Sequence, residues 1–444
     1  MNYAETIAYI DSLSPTLEKP SLDRITAFLE AHANPQESFP YFHIGGTNGK
    51  GSTVAMLESI LRAAGLKTGR FTGPHLLRWN ERFHVNGRPI ADSIFAEYAS
   101  RVRQLSEAFG ARLSELGPLT WFEFLTAIAF FYFADQKIDI AVIEVGLGGR
   151  FDATNVLKQP VAVGITNVSL DHVHILGDTV EKIAFEKAGI IKPLCPVVTG
   201  ARDEAFEVIR RRASEQNAPL LHIENNHATV CNGETASAPF EKDLIETTEF
   251  SGDYQSLNSQ IAIALLYVSN YLAAPAQIMR AQLPVVTRAH VREGLQKTYW
   301  PGRLQWIASQ KLLLDGAHNT AGIKALREVL DQRYPDQPLR FVFGCYANKD
   351  GMGMMQNLLR RNDIVYVSEA FSRRVTYDRA ALAEHALKLG VTASVYESVS
   401  AALEAAKAER QEDEVIVATG SFATVKEVAL TLGWQTVEDA LLVR

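Results

Sequence analysis

Apolar positions along this chain come in two rhythms. Short, nearly continuous runs at 41–44, 66–71, 138–145, 161–166 and 196–199 read as buried strands, and between them lie stretches with apolar residues three and four apart. After the run at 41–44, the spacing of Val54, Leu57, Ile60, Leu61 and Ala64 predicts a helix with one buried face that stops at Gly65. Such alternation predicts an α/β fold, a sheet with helices packed on both faces. Residues 227–255 are polar and less regular, as a β-rich elaboration or a long loop would be, and helical spacing returns at 257–272 and 287–296.

The sharpest break is Thr298-Tyr299-Trp300-Pro301-Gly302-Arg303, because Pro-Gly interrupts regular structure. A fresh alternation follows, with strands at 312–314, 339–344, 363–367, 392–396 and 414–418. The chain is therefore predicted to hold a larger α/β domain over 1–297 and a smaller, Rossmann-like α/β domain over 298–444 that lacks the dinucleotide glycine fingerprint. Sites in such domains lie just past the C-terminal ends of strands.

Past the run at 41–44 comes Gly45-Gly46-Thr47-Asn48-Gly49-Lys50-Gly51-Ser52-Thr53. A strand, a glycine turn with one lysine and a hydroxyl-bearing helix start are how proteins hold polyphosphate, through backbone N–H groups, the helix N-terminus and the lysine charge. Gly51 separates Lys50 from Ser52, so the Walker pattern is met only approximately. This loop makes the first domain P-loop ATPase-type.

Glu144 interrupts the buried run 140–145. A charge there needs a partner; beside a phosphate loop that partner is Mg²⁺, and the plainer alternative is a carboxylate that ends a strand. A second glycine-rich turn, Gly146-Leu147-Gly148-Gly149-Arg150-Phe151-Asp152-Ala153-Thr154-Asn155, follows it. Leu170-Asp171-His172 lies just past the run 161–166, where His172 can share a metal site with Glu144. Lys187, in Glu186-Lys187-Ala188-Gly189-Ile190-Ile191-Lys192, reads on its own as a surface helix lysine. In the second domain Asp315-Gly316-Ala317-His318-Asn319, Tyr346-Ala347-Asn348-Lys349-Asp350 and Thr419-Gly420-Ser421 all follow strands and suggest one polar rim facing the nucleotide.

Composition narrows the classes. The chain is 47% hydrophobic and 21% charged, an ordinary soluble balance. Its net charge of −7 argues against broad nucleic-acid binding but leaves room for local cation clusters, with Arg78, Arg82 and Arg88 as candidates and Arg210-Arg211-Arg212 as a solvated face. No apolar run reaches membrane length and no export signal opens the chain, so no membrane partner is expected. Cys195, Cys231 and Cys345 show no CxxC spacing, which suits a reducing cytoplasm.

Taken in order, GTNGKGS, Pro74-His75-Leu76, Asn80-Glu81-Arg82, EVGLGGRFDATN, LDH, EKAGIIK, PGRLQ and DGAHN resemble the folylpolyglutamate synthase/dihydrofolate synthase family of the Mur ligase superfamily. The resemblance runs from about Leu22 to Phe422. It implies a Mur-ligase-type central domain over 1–297 and a glutamate ligase domain over 298–444. It also implies ATP-dependent joining of L-glutamate to a folate-type carboxylate through an acyl phosphate. By the same resemblance Thr47, Asn48, Gly49, Lys50, Gly51, Ser52, Asn258, Arg303 and Asp315 bind ATP, and Glu144 and His172 bind Mg²⁺. Lys187 matches a lysine that relatives carry as a carbamate. Thr120, Phe151, Asp152, Ala153 and the segment 18–20 match the pterin site of members that make dihydrofolate, and His318 and Ser421 match glutamate contacts.

Four departures stand out. Gly73 replaces the usual metal-binding serine before Pro74-His75, leaving Thr72, a backbone carbonyl or water for that role. Thr320 follows DGAHN in place of proline, Asn348-Lys349-Asp350 replaces DKD, and Tyr254-Gln255 replaces His-Gln. None removes a catalytic carboxylate or Lys50. The resemblance implies a bifunctional enzyme acting on dihydropteroate and reduced folates, and a monomer is the default expectation. The alternatives are a monofunctional folylpolyglutamate synthase, a Mur-type ligase with another acceptor, and a non-catalytic nucleotide-binding protein. Only about 40 residues precede the phosphate loop, too few for the nucleotide-sugar domain of the peptidoglycan ligases.

Overall fold

A capped helix begins the chain. In α1 (Tyr3–Ser12) the Asn2 side chain accepts from the Glu5 N–H while Glu5 reaches back to the Asn2 N–H. The computed structural model describes residues 1–14, 21–110, 116–224, 227–231, 253–271, 285–369 and 375–439. The pterin-site match at 18–20 therefore lies outside the described residues, as does much of the irregular stretch 227–255.

After α1 come α2 (Asp23–Glu30), β1 (Tyr41–Gly45), α3 (Lys50–Ala63), β2 (Thr68–Phe71), β3 (Phe83–Val85), β4 (Arg88–Pro89), α4 (Asp92–Ala108) and α5 (Trp121–Asp135). Then follow β5 (Ile140–Glu144), β6 (Ala162–Ile165), α6 (Val173–Leu176), α7 (Val180–Ala188), β7 (Val197–Thr199), α8 (Asp203–Glu215), β8 (Leu220–Glu224), β9 (His227–Val230), α9 (Asp253–Tyr271) and α10 (Arg288–Gln296). These strands make one sheet in the order β4-β3-β2-β5-β1-β6-β7-β8-β9. It is parallel from β2 to β8 and closed at both edges by antiparallel strands.

The remaining elements are β10 (Gln305–Ile307), β11 (Leu312–Leu314), α11 (Thr320–Arg333), β12 (Leu339–Phe343), α12 (Gly351–Leu358), β13 (Ile364–Ser368), α13 (Arg379–Lys388), β14 (Thr392–Tyr396), α14 (Val399–Glu409), β15 (Val415–Thr419) and α15 (Phe422–Thr431). They form a second sheet, β10-β11-β15-β12-β13-β14, parallel except for β10. One compact unit holds the described parts of Met1–His75, Trp79–Glu249 and Gln255–Thr298; the other holds the described parts of Leu76–Arg78, Phe250–Tyr254 and Tyr299–Arg444. The central strands of each sheet are buried along their whole length, which is why they read as unbroken apolar runs.

The helix after the glycine loop differs from its expected form. Residues Ser52 to Leu61 of α3 are all buried, not a single stripe, and Ala64 is its C-cap. The cause is a second partner: α10 lies against α3 so closely that a Cβ at Gly294 would stand 2.4 Å from the Ile60 Cα, and Ser59 Oγ donates to the Gly294 carbonyl at 2.7 Å. Gly294→Ala must push two backbones apart and is expected to cost about 1–3 kcal/mol, read as a shifted urea midpoint at unchanged slope. An unshifted midpoint would mean that α10 docks loosely.

Candidate active site

Four neighbouring parallel strands, β2, β5, β1 and β6, end together: Ile44 stands level with Glu144, Gly45 with Ile165 and Phe71 with Ile143. The segments that follow them are the glycine loop, the turn after Glu144, the Asp171-His172 loop and Thr72-Gly73, so topology sets these four polar segments side by side at the sheet's C-terminal edge.

The glycine loop has little latitude. Gly46 and Gly49 have φ of 134° and 83°. A Cβ would lie 1.9 Å from Thr166 Oγ1 at the first and 2.1 Å from Asn258 Oδ1 at the second. The loop is pinned to the strand beside it: Thr47 N–H donates to the Asn167 carbonyl at 2.8 Å, Asn48 N–H to Asn167 Oδ1 at 3.0 Å, and Thr166 Oγ1 to the Asn48 carbonyl at 2.6 Å. Lys50 opens α3 and its Nζ donates to the Thr47 carbonyl at 3.0 Å. Gly51 and Ser52 occupy the first turn, where backbone N–H groups lack helical acceptors and suit an anion. Asn258, brought over the loop by α9, also donates through Nδ2 to Gln255 Oε1 at 2.9 Å.

At the end of β5, Glu144 is buried and its Oε2 accepts from the Gly73 N–H at 3.1 Å. A Cβ at Gly73 would meet Arg82 Nη1 at 2.6 Å. Arg82 is buried too, with its Nε donating to His75 Nδ1 at 3.0 Å and its guanidinium against Trp79 and Trp121. Burial lowers its pKa to about 10, and Glu144 opposes that shift. Of the three arginines singled out as local cations, Arg82 is thus built into this wall, while Arg88 is exposed on an edge strand. Thr72 is buried, and its hydroxyl donates to the Glu81 carbonyl at 3.4 Å.

His172 caps α6 with φ 51°, and its Nε2 stands 3.9 Å from Asp171 Oδ1. Among the described residues no three His, Cys, Asp or Glu side chains gather into a protein-made cation cage. A lone buried carboxylate beside a phosphate loop is what Mg²⁺ uses when nucleotide phosphates and water complete its shell, so these residues fit that ion.

Lys187 is not the surface lysine its helix position suggested. It is buried, and its Nζ donates to the Gly46 carbonyl at 2.8 Å. Burial lowers its pKa to about 7, with the nearby Lys50 charge adding to the effect and Asp171 and Asp152 opposing it. The second glycine turn makes this packing possible, since a Cβ at Gly149 would lie 2.8 Å from the Glu186 carbonyl and 2.9 Å from that of Lys187.

In the same turn Asp152 caps a short 3₁₀ helix beginning at Ala153. Its carboxylate takes Leu147 N–H at 2.8 Å, Thr154 N–H at 3.0 Å and Thr154 Oγ1 at 2.5 Å. Burial raises its pKa against those donors. Ala153 is buried, while Phe151 is exposed with the Arg150 guanidinium over its ring. Thr120 heads α5 in a capping box with Glu123, and Glu123 pairs with the buried Arg24 at 2.9 Å; nothing in the spacing of the chain pointed to that pair.

In the second unit the ends of β11, β15 and β12 are adjacent, so Asp315-His318-Asn319, Thr419-Ser421 and the 344–350 turn form one rim. Asp315 is buried and accepts from Leu304 N–H at 2.9 Å, Ala317 N–H at 2.9 Å and the Tyr254 hydroxyl at 3.1 Å. Arg303 lies over the Phe422 ring at 4.4 Å, and His318 Nδ1 is 3.0 Å from the Gly316 carbonyl. Asn319 and Ser421 cap the helices that follow them.

A phosphate loop with a strand-end carboxylate in one α/β unit, joined to a Rossmann-like unit, defines the Mur ligase class. Residues 102–277 match the Mur ligase middle domain and 302–422 the Mur ligase glutamate ligase domain. The chain is 33% identical over 422 residues to the dihydrofolate synthase/folylpolyglutamate synthase of Bacillus subtilis, covering 92% of this chain and 94% of that one. Folylpolyglutamate synthase of Mycobacterium tuberculosis, solved with ADP and AMPPCP, superposes with a TM-score of 0.81 at 28% identity over 97% of this chain and 98% of that one. The bifunctional folylpolyglutamate synthase/dihydrofolate synthase of Yersinia pestis, solved with AMPPNP and manganese, does so at 0.81 and 29% over 98% of each. The chain belongs to the folylpolyglutamate synthase/dihydrofolate synthase family.

Proposed function

We propose that this protein joins L-glutamate to the carboxylates of both dihydropteroate and reduced folates, at the expense of ATP and through an acyl phosphate. The supporting observation is the apposition, at neighbouring strand ends, of a phosphate loop, the Glu144 carboxylate and the turn that presents Asp152. Phosphoryl transfer needs positioning and charge neutralisation more than covalent help. Thr47 to Ser52 hold the triphosphate, with Lys50 as point charge, and Asn258, Arg303 and Asp315 are each assigned as nucleotide contacts. Glu144, His172 and the Thr72 hydroxyl would hold Mg²⁺, whose chemistry here is to neutralise phosphate oxygens.

The γ-phosphoryl passes to an acceptor carboxylate oxygen as its bond to the ADP oxygen breaks. The glutamate amine then attacks the acyl carbon, loses a proton, and phosphate leaves with the former carboxylate oxygen. Lys187 serves as its carbamate, a negative group in place of a buried cation. Thr120, Phe151, Asp152 and Ala153 receive the pterin, and His318 and Ser421 receive glutamate. Mass spectrometry of products tests the paired activity: dihydrofolate must form from dihydropteroate, and a diglutamate from tetrahydrofolate. Product from one acceptor alone would reduce the proposal to a monofunctional enzyme. Thr72→Ala is expected to raise the Mg²⁺ concentration for half-maximal rate several-fold; an unchanged titration would assign that ligand to backbone or water.

A further inference from the structure

His43 lies in the middle of β1, two residues before the glycine loop begins to turn, and it is fully buried. Its Nε2 is 2.8 Å from Thr154 Oγ1, which is itself 2.5 Å from Asp152 Oδ1. The protons in this chain can be counted. An ionised carboxylate only accepts, so the Thr154 hydroxyl proton points at Asp152. The threonine oxygen must then accept from His43, which fixes the proton of the neutral imidazole on Nε2. With the other tautomer, Thr154 would turn its proton to the ring and face Asp152 with a lone pair at the same short distance. His43 Nδ1 is left buried with no hydrogen-bond partner among the described residues, a cost that a purely structural side chain at this position would not need to carry.

We propose that His43 is a positioning residue of the acceptor site, fixing the Asp152 carboxylate through the Thr154 hydroxyl and so tying the pterin subsite to the strand that carries the phosphate loop. The inference rests on the reading of Asp152 as a pterin contact. A pterin edge offers neighbouring N–H donors, and a carboxylate recognises them in proportion to how well its orientation is held before binding. Backbone N–H groups already hold Asp152, Leu147 on one oxygen and Thr154 on the other, with Gly146 adding to them. The hydroxyl is the support that depends on a side chain from another strand. Burial also lowers the His43 pKa to about 3, with Lys192 adding to the shift, so the ring stays neutral at working pH.

Steady-state kinetics of this chain and a set of its variants test this. His43→Phe keeps the ring volume and removes the donor; it is expected to raise KM for dihydropteroate about tenfold while KM for ATP and for glutamate stays within about twofold. His43→Gln places an amide N–H near the Nε2 position and is expected to recover most of that loss. Thr154→Val interrupts the same chain at its other end and is expected to match His43→Phe, with the double variant no worse than either single one. Asp152→Asn is the control on the underlying reading. If it leaves KM for dihydropteroate unchanged, the pterin assignment fails. If it raises that KM while folded His43→Phe or Thr154→Val does not, the relay fails. A uniform loss of kcat in His43→Phe that His43→Gln does not restore would assign His43 to packing alone; should His43→Phe not fold, Thr154→Val against Thr154→Ser decides the question.

Discussion

Lys50→Ala loses ATP-dependent ligation by about 10²–10³-fold or more, the scale for removing one charged donor from a preorganised site, while the protein stays folded. Lys50 opens α3, and its Nζ donates to the Thr47 carbonyl. The loop's shape is held instead by Asn167, Thr166 and the glycines, none of which needs the ammonium. The helical start tolerates alanine well. Fold and ligation should therefore separate cleanly, which circular dichroism beside an ADP-release assay will read. Near-normal turnover would remove the phosphate-loop assignment. Loss of the fold would show that the lysine has a structural duty its contacts do not reveal.

Lys187→Ala cripples ligation, by about 10²-fold or more if the residue acts as a fixed negative group beside the transferred phosphate, and small carboxylic acids restore part of the rate. Carbamate formation adds CO₂ to a neutral amine and releases one proton, and burial with the nearby Lys50 charge brings Lys187 down to about 7. Below pH 7 the amine is mostly protonated and closed to CO₂; above it the amine is open. Bicarbonate should thus stimulate CO₂-depleted enzyme more at pH 8 than at pH 6, with a carbamate resonance in ¹³C spectra. The same shift bears on stability. Between about 7 and the ordinary value of 10.5 the folded state binds fewer protons than the unfolded one, so stability in CO₂-free buffer rises with pH across that window. Lys187→Met should lack the slope. Full activity of Lys187→Ala without added acid would make the residue a buried helix lysine and nothing more.

The parts of this fold that were legible in the sequence are those whose signal is local. The apolar runs became β1, β5, β6 and their counterparts in the second unit, with the run at 392–396 matching β14 residue for residue. The glycine loop announced itself because only glycine tolerates the approach of Thr166 and Asn258. Other elements carried no such signal. Helix α5 is apolar on nearly every side and shows no stripe, and the β3–β4 hairpin is too short for alternation to register.

Site features that depend on tertiary packing were hidden for the same reason. Lys187 looks like a solvated helix residue until Gly149 lets the second turn press against α7. A histidine in a buried strand carries no mark of the threonine it meets 111 positions away. Gly73 was read as a missing ligand, and the structure adds that Arg82 fills the space a side chain there would need. Family resemblance supplied the roles of Asn258, Asp315 and Ser421; composition and spacing supplied only their placement at helix and strand ends.

The central claim, one site that ligates glutamate to two acceptors, is tested most directly by phosphate release from ATP and Mg²⁺ in the presence of L-glutamate, with dihydropteroate and tetrahydrofolate offered separately and together. The account predicts glutamate-dependent release with each acceptor, and mutual competition when both are present. Release with neither acceptor would contradict it, and additive release from the pair would contradict the single site.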